Sequence, residues 1–203
     1  MAKQVKVTPE MLPDPPYVEK LFSSPRFAWL WTLVRVYLGW AWLQAGLGKV
    51  SNPAWQTGAA VKGFWTAAVQ VPEVGKAAIT YDWYRNFLVF LLEGGHDRWL
   101  GPLIAWGEVL VGVGLLIGAL TGFAAFFGAL MNFNFMLAGT ASTNPVMFLL
   151  SVLLIMAWKV AGWWGVDRWL LPMLGTPWQA GPLFRRDDAG EGLGPAEPEG
   201  QQP

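Results

Sequence analysis

Apolar residues in this chain gather into four runs, each bounded by polar or Gly- and Pro-bearing stretches. The runs cover 27–47 (FAWLWTLVRVYLGWAWLQAGL), 99–120, 121–138 (TGFAAFFGALMNFNFMLA) and 145–164 (PVMFLLSVLLIMAWKVAGWW). An α-helix rises about 1.5 Å per residue and a bilayer's hydrocarbon core is roughly 30 Å thick, so a run of about 20 residues matches one crossing. The pattern predicts an all-α integral membrane protein built as a bundle of four transmembrane helices. Thr121-Gly122 leaves almost no connection between the second and third helices, which makes them an antiparallel pair. The segment GTASTNP at 139–145 is also short, with Asn144 placed to cap the fourth helix and Pro145 at its first position. Between the first and second helices lie about 50 residues, 49–98. A structureless loop of that length is uncommon, so this insertion is expected to form a helical cap outside the cytoplasm, with FLVFLLE (87–93) docking on the bundle or lying in the interface.

Composition agrees with that class. Of the 203 residues 54% are hydrophobic and 14% charged, and the mean hydropathy of +0.34 is too apolar for an ordinary soluble domain. Net charge is zero and Lys and Arg form no block, which argues against a nucleic-acid surface or a polybasic lipid-binding tail. The absence of cysteine excludes a disulfide, an iron–sulfur cluster, a zinc-thiolate site or a thiol nucleophile supplied by this chain. One histidine, His96, excludes a bis-histidine haem held within one chain. No zinc, phosphate-loop or dinucleotide motif occurs, so no metal is expected. Residues 1–26 are polar and Pro-containing and do not read as a signal peptide; 179–203 have the Gly-, Pro- and Glu-rich composition of a disordered tail. Four helices put both termini on one side. That side carries eight Lys and Arg against five in the insertion, which places the termini in the cytoplasm. Many of the fourteen tryptophans fall near helix ends, where interfacial belts form.

Two ionisable residues lie well inside the predicted spans, Arg35 in the first helix and Glu108 in the second. Charges at such depths are costly and face the protein interior or a water-filled cavity. Counted from helix ends taken as level, Arg35 lies about 12 Å and Glu108 about 18 Å deep, a gap that an arginine side chain can cover; an Arg35–Glu108 ion pair is expected. Glu108 shares a helical face with Gly101, Ala105, Gly112 and Ala119, and Arg35 with Gly39, Trp42, Gly46 and Lys49, so both point toward other helices. Asn132 and Asn134 are two residues apart in the third helix, and only one can join that face. The pair admits two readings. It fixes helix register, with Asn132 as a hydrogen-bond partner, or it forms a mid-membrane polar pocket in which Glu108 passes protons and Arg35 holds an oxyanion or a quinone carbonyl. Lys49 would add positive charge, and Trp42 and Trp65 would line a quinone. His96 in LEGGHDRW reads as a solvated turn residue, and Lys159 as a snorkelling residue near a helix end.

The segments RVYLGWAWLQAGLGKVSNPAW, GEVLVGVGLLIGALTGFAAFFGALMNFNFMLAGT, STNP and AWKVAGWWGVDRWLLP together resemble the DoxX family, including the DoxD subunit of thiosulfate:quinone oxidoreductase. The resemblance spans about 27–178. It implies a four-helix bundle of the prokaryotic cytoplasmic membrane and, in its best-known branch, oxidation of thiosulfate to tetrathionate with electrons passed to quinone. The family's first-helix arginine, its glycine-lysine end and its second-helix glutamate correspond to Arg35, Gly48, Lys49 and Glu108. Two functions follow as expectations. One is a membrane redox protein using quinone as acceptor. The other is a non-catalytic accessory or scaffolding subunit that meets membrane lipid and other membrane-protein subunits, or copies of itself.

Overall fold

The computed structural model describes residues 14–175, and every regular element among them is helical. In chain order these are α1 (Pro16–Ser23), α2 (Ala28–Val50), α3 (Pro53–Gln56), α4 (Ala59–Ala68), α5 (Asp82–Glu93), α6 (Asp97–Ile117), α7 (Thr121–Leu137), α8 (Asn144–Met156), α9 (Trp158–Ala161) and α10 (Asp167–Leu174). The four apolar runs thus appear as α2, α6, α7 and α8–α9. The fourth is broken at Ala157 instead of running on to 164. Its N-terminus also differs from expectation: the Asn144 amide donates to the Thr140 carbonyl (3.0 Å), and Thr143 occupies the capping position. The expected tail at 179–203 lies outside the described residues.

By length and composition α6 is the one helix among the described residues that is both long and apolar enough to cross a membrane, with a mean hydropathy of 1.9. α7 and α8 are apolar but shorter, at 17 and 13 residues. α2 has the length, at 23 residues, but Arg35, Gln44, Lys49 and four tryptophans dilute its hydropathy.

The core rests on backbone approach between α2 and α6. A Cβ on Gly112 would sit 2.5 Å from the Leu43 nitrogen, one on Gly46 2.6 Å from the Val109 nitrogen, and one on Gly39 2.9 Å from the Leu116 nitrogen. Only glycine permits two helices to lie this close. α7 and α8 pack on this pair, and Trp31, Leu38, Trp42, Leu115, Ala125 and Leu154 fill the space between them. The segment before α2, expected only as a polar cytoplasmic stretch, has its described part folded onto the same end: Trp31 donates to the Leu21 carbonyl at 2.8 Å and stacks on Phe22.

The insertion is helical as expected and docked. α3 and α4 cross the first turn of α6, where Gly58, with φ +82°, and Gly101 meet. α5 buries Tyr84 and Leu88 in a second apolar cluster with Val61, Trp65, Ile79 and Ala138, while Phe87 and Phe90 stay exposed. FLVFLLE therefore both docks and presents an outer apolar edge.

Candidate functional site

Glu108 is fully buried on α6, as its stripe of small residues implies, but its partner is not Arg35. The Lys49 ammonium lies 2.8 and 2.6 Å from the two Glu108 oxygens. The helix register explains the correction. Gly46 faces Glu108 and Val109, Gly39 faces Leu115 and Leu116, and Arg35 faces Gly118. α2 is thus displaced by about two turns, roughly 10 Å, from the level start assumed from the apolar runs. Arg35 and Glu108 end up about 16 Å apart along the helix axes.

Arg35 works at the far end of the bundle. Its guanidinium donates to the carbonyls of Leu115 (2.5 Å) and Leu116 (2.9 Å), and to that of Trp164 (3.5 Å). The first two are among the last carbonyls of α6, which have no partner inside the helix. On the other side of the same turn, the Asp167 carboxylate accepts from the backbone N–H groups of Leu120 (2.6 Å) and Thr121 (2.8 Å), capping the start of α7. Gly118 and Leu120 both hold positive φ, 68° and 49°. For leucine that conformation costs on the order of 1 kcal/mol, which the two Asp167 bonds offset. Arg35 and Asp167 are a structural staple across the α6–α7 turn. Asp167 was not singled out in the sequence, where GVDRW reads as an ordinary acid beside aromatic residues.

The Lys49–Glu108 pair has aromatic walls. Lys49 Nζ lies 5.0 Å from the centre of the Trp55 ring and 5.9 Å from that of Phe135. Trp55 and Phe135 also line a cavity of about 850 Å³ between α6, α7 and the cap. Its walls are almost wholly apolar, and it includes Trp65, Tyr84, Leu103, Gly107, Gly114, Phe123, Phe127 and Asn134. The Tyr84 hydroxyl donates toward the Asn134 backbone oxygen (3.0 Å) and side-chain oxygen (3.2 Å). Burial pushes the Tyr84 hydroxyl up to about 12, so it stays protonated, and able to donate, across the physiological range. Trp65 was a candidate from the sequence, but Tyr84, Trp55 and Phe135 did not stand out there, because these walls come together only when three separate segments meet.

The remaining sequence-predicted residues separate. Trp65 and Asn134 line the cavity. Trp42 and Asn132 do not: both are buried in the bundle, where Trp42 Nε1 and the Asn132 amide find no hydrogen-bond partner among the described residues. Gly48 meets no atom within 4 Å of a Cβ, so packing places no demand for glycine there. His96 is half-buried rather than free in solvent; its Nδ1 accepts from Trp99 Nε1 at 3.1 Å and its ring rests against Phe90. Lys159 is exposed. No group of metal-ligating side chains occurs among the described residues. The chain matches no protein-family model, no curated protein and no solved structure.

Proposed function

We propose that the chain is a four-span protein of the prokaryotic cytoplasmic membrane, of the DoxX/DoxD type, and that it is a redox protein whose site takes a quinone in the cavity beside Lys49 and Glu108. The observation that carries this reading is the ion pair itself: a bidentate Lys–Glu contact with a fully buried carboxylate, walled by Trp55 and Phe135 and bordering an 850 Å³ apolar cavity. Pockets of this size, apolar with a few convergent polar groups, suit lipid-soluble ring ligands. The membrane placement is supported by apolar side chains left exposed on all four long elements, among them Leu33, Tyr37, Leu110, Phe126 and Leu149.

The residues present fit a quinone. Tyr84, which would turn its hydroxyl from Asn134 toward a ligand, lines the cavity's cap end, Lys49 lies behind Trp55 and Phe135, and aromatic faces there can hold a ring. A quinone would supply two-electron acceptance coupled to protons. Glu108, held against Lys49 behind Trp55 and Phe135, would keep a proton-exchanging group one aromatic layer from the ring, while the apolar walls exclude water. Arg35 takes no part, because its guanidinium lies against the Leu115 and Leu116 carbonyls at the opposite end. Thiosulfate or another small sulfur compound as electron donor rests on the family resemblance. An electron-transfer partner that docks on the exposed apolar surface would complete the enzyme, and a purely accessory subunit is the alternative that the same surface favours.

The test is quinone binding to the purified protein, followed by quenching of its tryptophan fluorescence. Saturable quenching that weakens in Glu108→Gln, with the fold retained, supports the reading. Quenching that is unchanged in Glu108→Gln and in Lys49→Met removes the pair from the site. Recovery from native membranes only within a larger complex, with no quinone bound, supports the accessory role.

A further inference from the structure

The cavity is longer than a ring needs. On α6 its lining repeats at helical spacing through Leu100, Leu103, Gly107, Leu110 and Gly114, and on α7 it runs antiparallel from Phe123 to Ala138. The fifteen residues of α7 from Phe123 to Leu137 correspond to about 22 Å of helix, so the cavity is a slot that follows the α6–α7 seam for most of its length. Its volume of about 850 Å³ is thus drawn out along the seam and under the cap rather than gathered in one round chamber. The depth comes from the two glycines on α6. Gly107 has only the Met131 sulfur within reach of a Cβ, at 3.8 Å, and Gly114 faces Ala124.

The slot is also polar at one end only. Tyr84, Asn134 and the Lys49–Glu108 pair behind Trp55 and Phe135 gather at the cap end, whereas the other end is lined by the apolar Ala119, Leu120 and Phe123. Its side is flanked by Leu103, Leu110, Phe123 and Phe127, which are themselves exposed, so the slot opens laterally rather than through the bundle. A molecule with a polar head and one long hydrocarbon tail has the same polarity profile. In a membrane, such a tail can enter sideways without passing through water.

We infer that the α6–α7 slot binds the extended hydrocarbon tail of a lipid-soluble ligand, with the ligand's head held at the cap end beside Tyr84 and the Trp55 and Phe135 rings that cover Lys49. This rests on the proposed membrane placement and deepens the quinone reading by assigning the substrate class as long-tailed. The tail's far end lies against Phe123 and Leu120, and Gly107 and Gly114 are the positions that let it pass.

The experiment uses two photoreactive probes with the full-length protein in lipid nanodiscs: a prenylated benzoquinone and a straight-chain fatty alcohol, each with a diazirine at the end of its tail. Labelled residues are mapped by mass spectrometry. Labelling is expected at Ala119, Leu120 or Phe123, enriched roughly tenfold (about 1.4 kcal/mol) over the exposed Leu33 and Leu149. Gly107→Leu should abolish that labelling by blocking the slot near its head, while a diazirine placed next to the head group still labels Trp55, Trp65 or Phe135. Gly114→Leu, deeper in the slot, serves as a second variant with the same readout. Terminal labels spread evenly over the lipid-facing residues, or unchanged in both glycine variants, overturn the tail slot. If the alcohol labels the slot but the quinone neither labels nor competes, the slot stands and the quinone reading falls. If quinone quenches tryptophan fluorescence without slot labelling, the reverse holds.

Discussion

Removing one member of the Lys49–Glu108 pair should cost unequal amounts, and the structure sets the order. The Glu108 side chain is 1% exposed and that of Lys49 21%. In Lys49→Met, a buried carboxylate loses both of its ammonium contacts, at 2.8 and 2.6 Å, and has no route to water; breaking a buried pair in this way costs about 3–5 kcal/mol. In Glu108→Gln, the freed ammonium keeps partial solvent access and its contacts with Trp55 and Phe135, worth about 0.5–2 kcal/mol together, so the expected cost falls to about 1–2 kcal/mol. The double variant Lys49→Met with Glu108→Leu replaces both charges by apolar groups of similar size. It should lie within about 1–2 kcal/mol of the parent, well short of the sum of the single variants. The assay is reversible unfolding in detergent micelles, followed by the change in tryptophan emission as the fraction of denaturing detergent rises. Equal costs in the two single variants, or a double variant that loses their full sum, would falsify the view that these groups are each other's partner in a desolvated site.

Three further outcomes follow from the packing. Asp167→Asn should weaken both N–H bonds at the start of α7 and destabilise the fold by about 1–2 kcal/mol, while quinone quenching in the folded protein stays unchanged; a loss of binding without loss of stability would move Asp167 into the site. Gly112→Ala should cost about 1–3 kcal/mol in thermal unfolding because its Cβ meets the Leu43 backbone, whereas Gly48→Ala, with nothing near it, should be neutral or stabilising by up to about 1 kcal/mol. The raised Tyr84 hydroxyl stabilises the folded state fully below the usual tyrosine value near 10, and that contribution drains as pH rises through about 12. Tyr84→Phe should therefore flatten the alkaline limb of a pH–stability curve, and an unaltered limb would show that another group governs it.

The helices were legible because runs of about 20 apolar residues leave little choice of structure, and the inward turn of Glu108 was legible because Gly101, Ala105 and Gly112 share its face. Its partner was not, since pairing depends on where each helix begins relative to its neighbour, and apolar runs do not mark that level. The contacts of Gly39, Gly46 and Gly112 set it instead, and glycine spacing alone does not say which glycine meets which residue. Lys49 stood beside Glu108 among the candidates, but as an added charge rather than as its counter-ion. The cavity was hidden for a further reason: its walls come from the cap, α6 and α7, so no local pattern carries it. Asp167 was hidden because its role is visible only against the backbone N–H groups of a turn more than forty residues earlier.

That separation has a consequence for how the chain is made. Arg35 emerges from the ribosome well before the turn it clasps, but Asp167 follows Thr121 by 46 residues. Until α10 is synthesised, the α6–α7 hairpin has no carboxylate at the start of α7, and Leu120 holds its left-handed backbone without support. A nascent chain halted before Asp167 should carry an open, protease-sensitive hairpin inside an otherwise assembled set of helices. Formation of α10 thus completes the α6–α7 turn, and a single hydrogen-bonded corner links the order of synthesis to the order of assembly.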